Sequence, residues 1–387
     1  MTSKELFPPN RALLSAVEKI CKISDPYKKS PETDSLFIQA MKEIIRWHQE
    51  KSPFYRQLLR DSKFDINGWD GDLEKIPSIP AEFFKYHAVK SVSDENVHIN
   101  LTSSGTSGQK SQMFFDEWSL GSAQKMVDLI YNYYGWITPN SKANYLLYTY
   151  QTEPDSKLGT AFTDNYLTKY APVNRAEYCL KFTGKGTHDF DVFGAMRTLQ
   201  EYEVQGLPVR IFGFPSFFYF TLQRMKDLKY PKLKLSPESL VFLGGGWKGY
   251  ANQEIKKSEL YALAEDILGI PNSRLRDGFG SVEHCIPYIE CANHNFHAPI
   301  YSKIIIRNLK TLEPMGYEQP GFIQFISPYI TSAPAHSVIM GDLGKLHTGE
   351  SCGCGLKTDW FEVLGRAGIS KNKSCAVAAA ELLKDFV

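Results

Sequence analysis

No stretch of this 387-residue chain stays apolar for long enough to span a bilayer. The most apolar segment, around residues 211–222, is too short and is interrupted by Gly213 and Pro215. Neither sign of charge is in excess. Against 43 Asp+Glu stand 44 Lys+Arg, a net +1, and no basic stripe interleaved with aromatics occurs. That balance argues against a polyanion-binding surface, nucleic acid included. The opening residues MTSKELFPPN lack the basic-then-apolar layout of a secretory leader. Cysteine is sparse and odd in number, seven in all, which points to a reducing compartment with thiols kept for metal or chemistry. Internal repeats and low-complexity tracts are missing too. What remains is an ordinary globular composition, 43% hydrophobic and 22% charged, long enough for two or three structural units. The expected setting is the cytoplasm, with no membrane span.

Helical periodicity runs through residues 36–60 and breaks at Pro53. VHINL and QMFF read as strands on either side of a hydroxyl-rich loop, EWSLGSAQKMVDLIYNYYGW as a long helix, and NYLLYTY as a strand. From about residue 190 the pattern alternates: helix 191–205, strand VRIFGF, helix 216–228, strand SLVFL, helix 252–268, strand LRDGF. Such alternation predicts an α/β fold with a largely parallel sheet wrapped by helices. Past residue 296 the chain turns β-rich through APIYSKIIIRN, GFIQFIS and HSVIMGDLGKLH. The expected organisation is one α/β domain over residues 1–366, with a β-rich segment at about 296–350, and a short tail over 367–387.

Four short patterns carry chemistry. LTSSGTSGQKSQ supplies hydroxyls at Thr102, Ser103, Ser104, Thr106 and Ser107 and glycines at Gly105 and Gly108. It is either a long hairpin loop or a cradle where N–H groups and hydroxyls converge on phosphate. It is not a Walker A motif, because its glycines are too close and Lys110 is displaced. LVFLGGGWKG runs a strand into Gly244, Gly245 and Gly246; with Gly249 it formally satisfies G-x-G-x-x-G, and Glu265 and Asp266 lie near the distance of a ribose-binding acid. The alternative is a tight strand-to-helix turn. RDGFGSVEH places Glu283 just after a glycine turn at a strand end, where a carboxylate suits Mg²⁺, or else simply faces solvent. MGDLGKLH and LGRAG offer Asp342 to ribose hydroxyls and Arg366 to a phosphate or ribose oxygen, or are two more turns.

Taken in order, hydroxyl–glycine loop, strand–GGG, F-G-S-x-E, G-D-x-G and G-R resemble the adenylate-forming superfamily of acyl-CoA synthetases. The resemblance implies a loop at residues 102–108 gripping pyrophosphate and Gly244, Gly245 and Gly246 against adenine. It implies a nucleotide-binding turn at Phe279, Gly280 and Ser281, Mg²⁺ on Glu283, ribose on Asp342, and a hinge at Arg366. GFPSFFYF, LGGGWK and NKSCAVAAAELL resemble, more closely, the acyl-protein synthetase subunit of bacterial fatty acid reductases. Membership there implies a fatty acid substrate, ATP and Mg²⁺, a partner acyl reductase, and an acyl thioester on the tail cysteine, which Cys375 matches. GFPSFFYF would be a candidate wall for the acyl chain. Other ligases of the superfamily carry a lid domain with a catalytic lysine after the hinge; here 21 residues follow Arg366, so no such lid is expected, and Lys248 is the candidate for part of the missing charge. Free cysteine is only a few per cent thiolate at neutral pH, so activation is expected, from Lys371 and Lys373. The alternative activities are a CoA ligase that releases its thioester and a Rossmann-type NAD(P)-dependent oxidoreductase.

Cys291 and His297 in ECANHNFH, with Cys352 and Cys354 in CGC, form the natural donor set of a closed structural zinc. Phenylacetate-CoA ligase-like members of the superfamily show a similar arrangement, whereas the luminous acyl-protein synthetases lack it. His294 and His347 stand as reserve ligands.

Overall fold

The structure is a computed structural model that describes residues 5–102, 111–151, 166–184, 187–247 and 249–367. Two compact units divide the chain: Met1–Tyr133 with Gly280–Val387, and Tyr134–Phe279.

The first unit opens on helices α1 (Ser15–Cys21), α2 (Pro31–Lys51) and α3 (Pro53–Asp61). Ser30 starts α2: its side chain accepts from the Thr33 amide while Thr33 answers at the Ser30 amide, and Pro31 takes the first turn, where no N–H is needed. Ser52 does double duty. Its amide closes α2 on His48 O at 2.8 Å, and its hydroxyl caps α3 at the Tyr55 amide. The break expected at Pro53 is therefore a capped junction between two helices. Phe37, Met41, Ile44 and Ile45 form the buried stripe of α2. There follow strand β1 (Ile79–Pro80), the short α4 (Phe83–Tyr86), and the antiparallel pair β2 (Ile99–Thr102) and β3 (Gln112–Phe115), with Thr102 opposite Gln112. Helix α5 (Glu117–Tyr133) completes this part.

In the second unit come β4 (Ala143–Tyr150), β5 (Val173–Gly184), β6 (Thr187–Phe190), α6 (Val192–Gln205), β7 (Val209–Gly213), α7 (Pro215–Asp227), β8 (Leu240–Gly244), α8 (Lys257–Leu268) and β9 (Leu275–Phe279). Its strands lie in the order β9-β8-β7-β4-β5-β6, parallel throughout except that β6 returns antiparallel to β5. This is the helix-wrapped parallel sheet that the alternation predicts. Leu146, Ile211, Val241 and Leu275 on the strands share one buried cluster with Leu199, Leu222 and Leu268 on the helices. Full burial of these strand residues explains their continuous apolar runs. Two features depart from expectation. Residues 251–253 form a 3₁₀ turn, so α8 begins only at Lys257. The β5–β6 pair lies outside the alternating pattern.

Back in the first unit are β10 (Tyr288–Ile289), β11 (Phe296–His297), β12 (Lys303–Arg307), β13 (Pro314–Met315), β14 (Gly321–Ile326), β15 (Ser337–His347) and β16 (Trp360–Arg366). Most join one antiparallel sheet in the order β11-β16-β15-β14-β12-β13, to which β1 adds in parallel at β15. Among the described residues no helix is long and apolar enough to cross a membrane.

Candidate active site and metal centre

Three of the expected site residues meet in the first unit. Asp342 on β15 and Arg366 on β16 are direct cross-strand partners, and the Ala367 amide closes on Gly341 O at 2.9 Å just beyond them. Burial pushes the Asp342 carboxyl above its usual range; the Arg366 guanidinium opposes that and the Glu283 carboxylate adds to it. Glu283 is therefore within electrostatic reach of Asp342. It sits on a turn that follows Gly280 and Ser281, tied by the His284 and Cys285 amides to Ser281 O at 3.3 and 2.7 Å. Only 6% of Glu283 is exposed. A largely sequestered carboxylate close enough to a second carboxyl to raise its pKa is suited to a hard divalent ion, which takes oxygen ligands and offsets their mutual repulsion.

Gly244, Gly245, Gly246 and Phe279 belong to the second unit, at the carboxyl ends of the adjacent parallel strands β8 and β9. There Gly244 faces Gly278, and a Cβ on Gly244 would meet Gly278 O at 3.1 Å. Gly245 and Gly246 take φ of +78° and +70°, a region that L side chains enter at a cost, so the triple glycine is a conformational requirement. The chain does not run from these glycines into a helix, because α8 starts at Lys257. A dinucleotide fingerprint needs that helix N-terminus for its pyrophosphate. Asp266 is engaged by Lys232, and Glu265 accepts from the Asn272 amide. The Rossmann alternative thus loses its geometry. Ser103, Ser104, Gly105, Thr106, Ser107, Gly108, Lys248 and Cys375 lie outside the described residues, as do Lys110, Lys371 and Lys373; Thr102 closes β2.

The two cysteine clusters converge. Cys291, His297, Cys352 and Cys354 bring their donor atoms within 4.8 Å of one another. Cys291 Sγ lies 3.5 Å from Cys352 Sγ, and Cys354 Sγ lies 3.3 Å from His297 Nε2. About a tetrahedral zinc with bonds of about 2.3 Å to sulfur, neighbouring donors stand roughly 3.5–3.8 Å apart, so the quartet fits the ion with little adjustment. His297 Nδ1 donates to Thr358 O at 2.6 Å, which leaves the Nε2 lone pair facing the thiols. Burial holds this imidazole below its usual range, in the neutral form a ligand needs. Asn293 N and Asn295 Nδ2 donate to Cys291 Sγ and Cys352 Sγ at 3.4 and 3.2 Å. These asparagines carried no signal in the sequence beyond lying inside the Cys291–His297 interval. The reserve histidines are used elsewhere: His294 contacts Glu290, and His347 bonds Glu318 and stacks on Trp360. Residues 349–353, GESCG, formally fit the Gly-x-Ser-x-Gly pattern of serine hydrolases. They form a 3₁₀ turn next to the quartet, with Ser351 Oγ donating to Thr348 O and accepting from Trp360 Nε1, so the hydroxyl proton is committed to a carbonyl instead of to a general base.

A family model described as acyl-protein synthetase, LuxE, matches residues 6–384. The long-chain-fatty-acid–luciferin-component ligase of Vibrio harveyi is 22% identical over 353 residues, 90% of this chain and 89% of that protein. Its counterpart from Aliivibrio fischeri is 24% identical over 310 residues, 79% of this chain and 77% of that one. Among solved structures, an open conformation of 2-hydroxyisobutyryl-CoA ligase superposes with a TM-score of 0.64 at 12% identity, over 97% of this chain and 83% of that one. The same ligase in its postadenylation state gives 0.65 at 12% identity, over 95% and 73%. The fold is thus that of the adenylate-forming ligases, and the chain belongs to the acyl-protein synthetase family of ligases.

Proposed function

We propose that this ligase activates a long-chain fatty acid with ATP and carries the acyl group as a thioester on Cys375, for delivery to a partner acyl reductase. A carboxylate has no competent leaving group. Its oxygen attacks the α-phosphorus of ATP, the bond to the β-phosphate oxygen breaks, and pyrophosphate departs to leave acyl-AMP. The Cys375 thiolate, having given its proton to solvent or a nearby base, then attacks the acyl carbon, and AMP leaves. No oxidant or reductant is needed up to this point.

Thr102 and residues 103–108 would hold the polyphosphate, with Gly244, Gly245, Gly246, Phe279, Gly280 and Ser281 beside the nucleotide. Asp342 and Arg366 would take the ribose. Mg²⁺, when bound, offsets polyphosphate charge and eases departure of pyrophosphate. Glu283 would be its protein ligand. Lys248 would supply further positive charge near the glycine turn. Cys291, His297, Cys352 and Cys354 would hold a structural zinc that clamps the start of β16. The aromatic face of α7 supports an apolar acyl chain: Tyr219 lies 5.6 Å from Trp247, and Phe220 lies 4.9 Å from Tyr250, between ring centroids.

The observation that carries this reading is the match of the acyl-protein synthetase family over residues 6–384, a span that includes Cys375. Incubation with ATP and labelled fatty acid in the absence of CoA tests it. Protein-bound label released by hydroxylamine is expected. Label appearing only on added CoA would make the protein an acyl-CoA ligase.

A further inference from the structure

Residues 327–336, SPYITSAPAH, look like a surface turn by composition, yet Tyr329, Thr331, Ser332, Ala335 and His336 are wholly buried. A buried loop must find partners for its polar groups. Here they come from the N-terminal half of the same unit. Trp118 Nε1 donates to Tyr329 O at 3.0 Å and Trp47 Nε1 to Thr331 O at 2.8 Å. Thr331 Oγ1 donates to Asp116 Oδ2 at 2.6 Å, and its amide to Ser119 Oγ at 2.9 Å. The loop is thereby fastened to the start of α5.

Tyr329 then reaches the opposite way. Its hydroxyl donates to the backbone carbonyl of His284 at 2.8 Å. His284 directly follows Glu283, within the turn that Ser281 O gathers. The turn ends at Cys285 with φ of +54°, a region uncommon for a residue with a side chain, so something outside must hold it. A second tether comes from the His284 ring, whose Nε2 lies 2.8 Å from Tyr288 OH, itself 2.5 Å from Ser302 Oγ. Glu283, 6% exposed, is therefore presented on a turn pinned at a carbonyl and at a ring.

We infer that Tyr329 is a positioning residue for Glu283: its hydroxyl locks the 281–285 turn to the loop fastened on α5, so that the buried carboxylate meets a divalent cation without reorganising. This rests on Glu283 as the Mg²⁺ ligand. Cation affinity depends on the prepaid ordering of its ligands, so loosening the turn appears in Mg²⁺ dependence before it appears in saturated rate.

Tyr329→Phe keeps the ring and removes the hydroxyl. The Mg²⁺ concentration for half-maximal carboxylate-dependent ATP–pyrophosphate exchange is expected to rise about three- to ten-fold, with excess Mg²⁺ restoring the rate. Wild-type Mg²⁺ dependence in a folded Tyr329→Phe protein overturns the proposal. Trp118→Phe, which removes the donor to Tyr329 O, is expected to shift the same way by less, and it decides the matter if Tyr329→Phe does not fold. Glu283→Gln separates the two levels. If it keeps wild-type Mg²⁺ dependence, the assignment of Glu283 falls and Tyr329 with it. If it shifts and Tyr329→Phe does not, the role of Tyr329 alone falls.

Discussion

Asp342 and Arg366 face each other across the β15–β16 ladder, one half-buried and the other exposed. This register offers an acceptor and a donor of opposite charge side by side, the arrangement that suits a vicinal diol. Asp342→Asn replaces an acceptor oxygen by a donor against ribose hydroxyls and is expected to raise the KM for ATP about ten-fold or more. Arg366→Ala is expected to raise it less and to leave stability within about 0.5 kcal/mol, since its side chain is exposed. Pyrophosphate-exchange kinetics at varied ATP check both. An unchanged KM in Asp342→Asn removes the ribose assignment.

Freshly purified protein is expected to carry one tightly held zinc. Cys352→Ser removes a donor from this largely buried quartet and a strong chelator removes the ion; either is expected to cost on the order of several kcal/mol in the unit containing it. Metal analysis paired with thermal melts measures this. Protein without zinc, melting alike with and without chelator, would remove the metal centre.

Three buried histidines make stability depend on pH. Burial pushes His284 and His336 down to about 3 and holds His48 well below its usual value, with the stacked His336 ring adding to the effect on His48. Their folded values lie below the unfolded one, so in the window from about 6.5 down to about 3 the unfolded chain binds more protons. Stability is lost as pH falls through that window, by about 1.4 kcal/mol per pH unit for each imidazole. Urea unfolding at pH 7.5 and pH 5.0 is expected to show a markedly lower midpoint at pH 5.0. Equal midpoints would mean that these rings take up protons in the folded state.

Cys375→Ser is expected to split the two half-reactions. Pyrophosphate exchange, which needs only the adenylation machinery, stays near wild type, while hydroxylamine-labile label on the protein falls to background. Wild-type label on the serine variant would place the thioester on another cysteine.

The alternation of helices and strands from residue 190 could be read directly, because periods of 3.6 and 2 are local and burial on both faces leaves continuous apolar runs such as VRIFG. The ligand types were also legible. CGC and C-x₅-H name three thiols and an imidazole whatever the fold. The β5–β6 pair escaped because VNRAEYCLKFTG mixes charge with apolar residues along a half-exposed strand, and its partner strands on either side supply the order that its pattern does not. The loop at residues 327–336 escaped for a related reason: its serines, threonine and prolines mark a surface turn, and only tryptophans more than two hundred positions away make its burial affordable.

Residue types and local periodicity thus settle which elements form and which chemistries are on hand. Their meeting is a matter of long-range pairing. The β15–β16 register puts Asp342 opposite Arg366, and the β11–β16 pairing carries His297 towards the two cysteines that precede β16. A one-residue slip in either ladder would turn those side chains to the other face. Nothing local prevents that slip; the packing of the assembled unit does.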